Sequence, residues 1–189
     1  MPMPLPVQLH LTLPIWAMEL EVAGRDFSTD AAKVAFAIEL SRLNVEHASG
    51  GPFGAAVFGP QDRLIAIGVN RVVRQSCSVA HAEMMAYMLA QQRLQQFRLN
   101  ALGGPITLAT SAQPCCQCYG ATVWAGIDRL LIGARSEDVE ALTAFDEGPL
   151  PADWVGELEK RGIAVVRDIE RDAARAVLKA YGELGGPNY

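Results

Sequence analysis

A chain of 189 residues, half of them apolar and a fifth charged, has the material for one domain with a sizeable core and is too apolar for a disordered or fibrous chain. The net charge of −5 and sequence pI of ≈ 5.2, with Arg and Lys scattered, argue against a face built to grip a polyanion and for a small-molecule partner. Four cysteines, three of them between 115 and 118, make no disulfide framework at this length and point to a reducing compartment and a metal or redox role.

Residues 1–24 are expected to form an extended arm; the alternation over 7–13 has the period of a short edge strand. The arm has no Lys or Arg before Arg25 and carries Glu19 and Glu21, which does not suit a signal peptide, and no apolar run reaches membrane-span length. A cytoplasmic protein is expected. Ser28, Thr29 and Asp30 are helix starters, and Val34, Ala37, Ile38 and Leu43 keep a core-facing spacing to about His47. Segments 53–58 and 64–69 read as strands joined by the turn at 59–62, a β-hairpin.

A polar loop follows at 70–80, then a helix from about Val79 to Phe97, with Met84, Met85 and Met88 as core filler. Segment 106–110 is a buried strand, and Pro114 opens a helix through Trp124. Then come a strand at 130–134, an acidic helix at 136–142, a Pro- and Gly-rich loop at 143–154, a helix near 155–161, a strand at 163–166 and a last helix over about 169–182. Strands alternating with helices after a hairpin predict an α/β fold, a three-layer α/β/α sandwich around a five-stranded mixed sheet, in one domain spanning 1–189.

The chemistry gathers in two stretches, His81-Ala82-Glu83 and Pro114-Cys115-Cys116-Gln117-Cys118. One histidine and two cysteines make a three-ligand metal site. Three protein ligands around zinc leave a fourth position for water, the catalytic arrangement. Cys115 and Cys118, three apart at a helix start, face the same way, and thiolates there gain from the helix dipole. His81 is expected in the first turn of its own helix. Cys116, about 100° round from Cys115, is left out and read as a buried small residue, and Cys77 as structural. Glu83, two residues from the histidine, suits proton transfer. A thioredoxin-type dithiol would not explain the His-Ala-Glu stretch, and neither His10 nor His47 has a glutamate two residues on or a thiol nearby in sequence.

The pair of motifs resembles the H-x-E…P-C-x-x-C signature of the zinc deaminases, and the element order resembles the cytidine-deaminase-like fold. The resemblance implies Zn²⁺ as cofactor, a water made nucleophilic, and Glu83 moving its proton to a ring nitrogen and on to the departing ammonia. Along most of the chain the sequence is similar to the bacterial guanine deaminases. The similarity rests on Gly50 to Phe58 (GGPFGAAVF), on Asn70-Arg71-Val72-Val73, and on Phe145-Asp146-Glu147-Gly148-Pro149 with Trp154. That family implies deamination of guanine to xanthine. Asn70 and the backbone at Ala82 would read the base edge; Phe53, Trp124 and Phe145 would sandwich the ring; and Glu147 would act as a second proton shuttle. It also implies a homodimer whose C-terminal segments are exchanged, with Tyr189 in the tail at 183–189 closing the partner's site.

This chain departs from the family at Gln113, where glutamate is usual, at Gln117, where methionine is common, and at Pro187 in the tail. None is a ligand; they bear on substrate preference and the tail's path. Ammeline, cytosine or a nucleoside remain as substrates for the same mechanism. A tRNA adenosine deaminase would call for a basic docking face, and a non-catalytic zinc module would have no use for Glu83.

Overall fold

The structure, a computed structural model, describes residues 5–189; residues 1–4 of the expected arm lie outside the described residues. Five strands make one mixed sheet: β1 (Gly54–Phe58), β2 (Leu64–Val69), β3 (Thr107–Ala112), β4 (Arg129–Ala134) and β5 (Ala164–Val166), in the order β2-β1-β3-β4-β5. β1 runs antiparallel to both β2 and β3, while β3, β4 and β5 are parallel. The fold expected from the element order is the fold observed.

Alternation along the strands divides the core in two. Ala56 and Phe58 of β1, Ala109 of β3 and Leu131 of β4 face a core built with α1 (Asp30–Glu46), α5 (Ser136–Leu142) and α7 (Arg171–Glu183). Ala55, Val57, Leu108, Leu130 and Ile132 point the other way, to a core shared with α3 (Ala82–Leu94), α4 (Cys116–Ala125) and α6 (Trp154–Glu159). Thr29 caps α1 by accepting from the Ala32 amide at 3.1 Å, as its residue type predicts. The approach of α3 to β2 depends on Gly68, because a Cβ there would lie 2.0 Å from the Ala82 carbonyl oxygen. That contact sets the start of α3, where His81 sits.

The differences from the expected elements have local causes. The arm is not a strand: 7–14 has no ladder partner, and a 3-10 turn at Ile15–Ala17 follows. Side chains pin it instead, with Arg71 Nε donating to the Thr12 carbonyl at 3.1 Å and Trp16 Nε1 to Ser49 Oγ at 2.9 Å. The loop at 70–80 contains one helical turn, α2 (Val72–Gln75), after which Ala80 N–H donates to the Cys77 carbonyl. That turn delays α3 to Ala82, so His81 is the N-cap residue and not a first-turn one. Of the three methionines only Met85 is fully buried; Met84 and Met88 are half-buried on the outer face of α3.

Candidate metal and catalytic site

The site lies beyond the carboxyl ends of the parallel strands, where open α/β sheets bind their ligands. β3 ends at Ala112 and leads through Gln113 and Pro114 to Cys115, the N-cap of α4. β2 ends at Val69 and leads to Asn70, while His81 caps α3 from the same edge. Neither His81 nor Cys115 makes a side-chain cap bond. Two helices thus start on residues that do not cap them, at a cost of about 1 kcal/mol each against Ser or Asp. Both side chains are turned toward each other instead.

His81 Nδ1 lies 3.4 Å from Cys115 Sγ. Tetrahedral zinc with ordinary Zn–N and Zn–S bonds separates such a pair by about 3.5 Å. The ligand atoms of His81, Cys115 and Cys118 all lie within 4.8 Å of one another, so the trio fits zinc in spacing and in donor chemistry. Glu83 stands outside the trio, 6% exposed, in the first turn of α3.

The local electrostatics suit a cation. A hydrogen bond from the Cys118 thiol, together with His81, pulls the Cys115 thiol down to about 4, so Cys115 is a thiolate at neutral pH. Cys118 is pushed upward by that same hydrogen bond and by burial, and stays protonated without metal. Burial works against a charged His81, but Cys115 and Glu83 outweigh it and raise its pKa. Burial, then the Cys115 charge, lifts Glu83 to about 7. Glu147 is lifted to about 8 by burial, then by Cys115 and Glu83.

Zinc binding must therefore displace the Cys118 proton, and below the His81 pKa that proton as well. Apparent zinc affinity is expected to rise with pH, with about one proton released per zinc on the alkaline side and about two on the acid side. Chelator competition over pH 5.5–8.5 (roughly spanning the His range), with calorimetry in two buffers, measures this; a pH-independent affinity would remove the thiol from the ligand set.

A recess of ≈ 400 Å³, counting its open mouth, adjoins the trio and is lined by Phe53, Asn70, Ala82, Glu83, Phe145, Glu147 and Tyr189 among others. The loop at 145–149 is held there by backbone: the Glu147 carbonyl accepts from Cys116 N–H at 2.9 Å, and Asp146 Oδ1 accepts from Gly148 N–H at 2.8 Å. Glu147 is thereby buried over the recess. Asn70 Oδ1 accepts from Val72 N–H at 3.3 Å. Tyr189 enters its own chain's recess, its ring 4.9 Å from Phe145 and 6.0 Å from His81. Burial raises the pKa of its phenol, although the residue as a whole is 41% exposed.

Two expectations fail. Trp124 is 76% exposed on the outer face of α4 and does not line the recess. Six residues beyond the inward-facing Cys118, it lies about 240° round the helix. Phe53 and Phe145 meet each other edge to face at 5.1 Å and form one wall, so no three-ring sandwich forms within the chain. Cys116 is exposed, not buried, being two residues and about 200° from Cys118. Gln113 and Asp146 also line the recess. In the sequence Gln113 stands out only as a departure from the family, although its place next to the Pro114-Cys115 turn points to the site. Tyr181, which no sequence motif marks, stacks on Phe145 at 5.8 Å and donates to the Pro187 carbonyl at 2.6 Å, anchoring the tail.

Comparison with known proteins agrees with this geometry. A family model described as the cytidine and deoxycytidylate deaminase zinc-binding region matches residues 28–134. A solved guanine deaminase from Nitrosomonas europaea is 44% identical, with a TM-score of 0.88 over 95% of this chain and 99% of that one. A crystal structure of a mutant protein in complex with 8-azaguanine is 45% identical, with a TM-score of 0.87 over 94% and 98% of the two chains. A tRNA-specific adenosine deaminase from Buchnera aphidicola (subsp. Schizaphis graminum) is 30% identical over 69% of this chain and 79% of its own length. The chain belongs to the family of the cytidine and deoxycytidylate deaminase zinc-binding region and is a zinc-dependent hydrolase.

Proposed function

We propose that this enzyme removes the 2-amino group of guanine, or of a closely related amino-heterocycle, giving xanthine and ammonia from guanine and water. The observation that carries the reading is a pair of buried carboxyl groups, Glu83 and Glu147, over one three-ligand site in a recess walled by aromatic rings. Similarity to a guanine deaminase along nearly the whole chain supports it, as does the similar protein solved with a guanine analogue. Zinc held by His81, Cys115 and Cys118 would supply Lewis acidity and a water whose pKa is lowered to about 7.

The chain's own groups do the rest. Asn70 and the backbone at Ala82 hold the polar edge of the base, and Phe53 and Phe145 offer an apolar wall to its ring. Glu83 accepts the proton of the attacking water and returns it to the ring nitrogen beside the carbon under attack. Glu147, its pKa raised by burial, donates to the departing amine, which leaves as ammonia, and takes back the proton that the new hydroxyl on the ring carbon gives up as the carbonyl forms.

Ammonia release from guanine, ammeline, cytosine, adenosine, guanosine and a tRNA anticodon stem-loop tests the assignment. Release from guanine well above the others is expected. Release from the RNA alone would move the activity to the class of the adenosine deaminase relative.

The whole chain acts as a single deaminase domain in the cytoplasm, and the subunits pair as homodimers. A tail that docks on its own recess makes the same contacts on a neighbour's, so exchange costs no contacts. Tyr189 closes the partner's site in this way. Removing residues 185–189 should lower turnover at least about tenfold, since the wall beside His81 is lost, with little change in melting temperature. Mixing that truncated chain with the full-length Glu83→Ala chain should restore activity, because each hybrid pair holds one intact site and one donated tail. No recovery, with pairing verified, would place the tail on its own chain's site.

A further inference from the structure

Asn44 occupies a core position of α1 where the spacing of Val34, Ala37, Ile38 and Leu40 would suit an apolar residue, and it is 0% exposed. A buried amide is costly unless its donors and acceptor are met. Here they are. Asn44 Nδ2 donates to the Gly51 carbonyl at 2.8 Å and to the Asn70 carbonyl at 3.0 Å, and Oδ1 accepts from Ser49 Oγ at 2.7 Å. Ser49 Oγ accepts in turn from Trp16 Nε1 at 2.9 Å, and the Trp16 ring stacks on His47 at 5.5 Å.

The two carbonyls belong to the two segments that form one rim of the recess. Asn70 N–H donates to the Phe53 carbonyl at 3.2 Å, so the main chain of Asn70 is held on one side by the Phe53 segment and on the other by Asn44. The segments approach so closely that a Cβ at Gly50 would lie 1.9 Å from the Asn70 carbonyl oxygen and 2.6 Å from Asn44 Nδ2. Gly51 continues the same wall, where a Cβ would stand 2.9 Å from the Tyr189 hydroxyl. Asn44 itself does not line the recess.

We propose that Asn44 is the positioning residue for the base-reading side of the site. It locks Asn70 and Gly51 in register and, through Ser49 and Trp16, ties that register to the N-terminal arm. The proposal rests on the reading that Asn70 contacts the amino-heterocycle. A group that holds substrate and transition state alike acts on KM more than on kcat. Asn44→Ala should therefore raise KM for guanine between about tenfold and a hundredfold, as small misplacements at reactive sites do. Zinc content should stay unchanged and kcat should move less than KM.

The test is a double-mutant cycle of Asn44→Ala with Asn70→Ala, read in KM and kcat for guanine, with zinc measured on every sample. Should guanine not be turned over, the cycle is run on whichever amino-heterocycle releases ammonia. If Asn44 acts through Asn70, Asn44→Ala adds little once Asn70 is gone. Additive losses, or a lower melting temperature with KM unmoved, would overturn the positioning role while leaving Asn70 as a substrate contact. An Asn70→Ala enzyme with unchanged KM would overturn the contact itself and the proposal with it. If Asn44→Ala does not fold, Ser49→Ala keeps the test alive, since it removes only the half-buried hydroxyl that holds the Asn44 amide. It is expected to raise KM about threefold or more and to lose that effect in the Asn70→Ala background.

Discussion

Replacing Glu83 by alanine should abolish turnover of guanine while leaving zinc and fold in place. The carboxyl group lies outside the ligand trio, so metal content should not change. Among the described residues it makes no salt bridge; it acts through space on His81 and by a hydrogen bond with Cys118, and burial lifts its pKa to about 7. What is lost is the group that takes the water's proton and returns it to the ring. General acid–base catalysis contributes about 10²–10⁴-fold, and loss of the first shuttle should cost at least that. Glu83→Gln, equal in size and unable to accept the proton, should fall as far. Steady-state kinetics with metal analysis and a melting curve checks both; an active Glu83→Ala enzyme would end the assignment.

Glu147→Gln should lower kcat by about 10–10³-fold and leave zinc untouched. The loop at 145–149 is held by a main-chain bond from Cys116 and by Asp146, so the exchange leaves its course unchanged. Burial raises Glu147 to about 8, and its acid form is lost as pH rises through its pKa. A bound dication offsets the Cys115 charge and lowers the value from there. The wild-type rate should therefore fall on an alkaline limb at or below about pH 8, and the limb should be missing in Glu147→Gln. Unchanged turnover would make Glu147 a buried structural acid.

The relation of sequence to structure differs between the metal site and the pocket. His81, Glu83, Cys115 and Cys118 were legible because short-range spacing alone commits them to two helix starts. The sheet was legible because short apolar runs at 53–58 and 64–69 flank a turn and later strands alternate with helices, and strands stand in those places. The arm misled because alternating apolar residues look like a strand wherever they occur. Only tertiary bonds, from Trp16 to Ser49 and from Arg71 to Thr12, show that no ladder forms.

Family likeness alone implies Trp124, whereas helical phase from Cys118 turns it outward. The same phase turns Cys116 to solvent; counting from Cys115 hid this, because Cys115 is an N-cap residue and not part of the helical repeat. Asn44 shows in the sequence only as a polar residue at a core-facing position of its helix. A polar residue on an amphipathic helix has no assigned partner until the chain brings Gly51 and Asn70 beside it.

The most direct test titrates zinc into metal-stripped protein while ammonia release from guanine is followed on the same sample. Activity should be absent without metal and rise in proportion to zinc until one ion per chain is bound, then stop. Ammonia release from the metal-free enzyme, or full zinc occupancy with no release from guanine, would contradict the account.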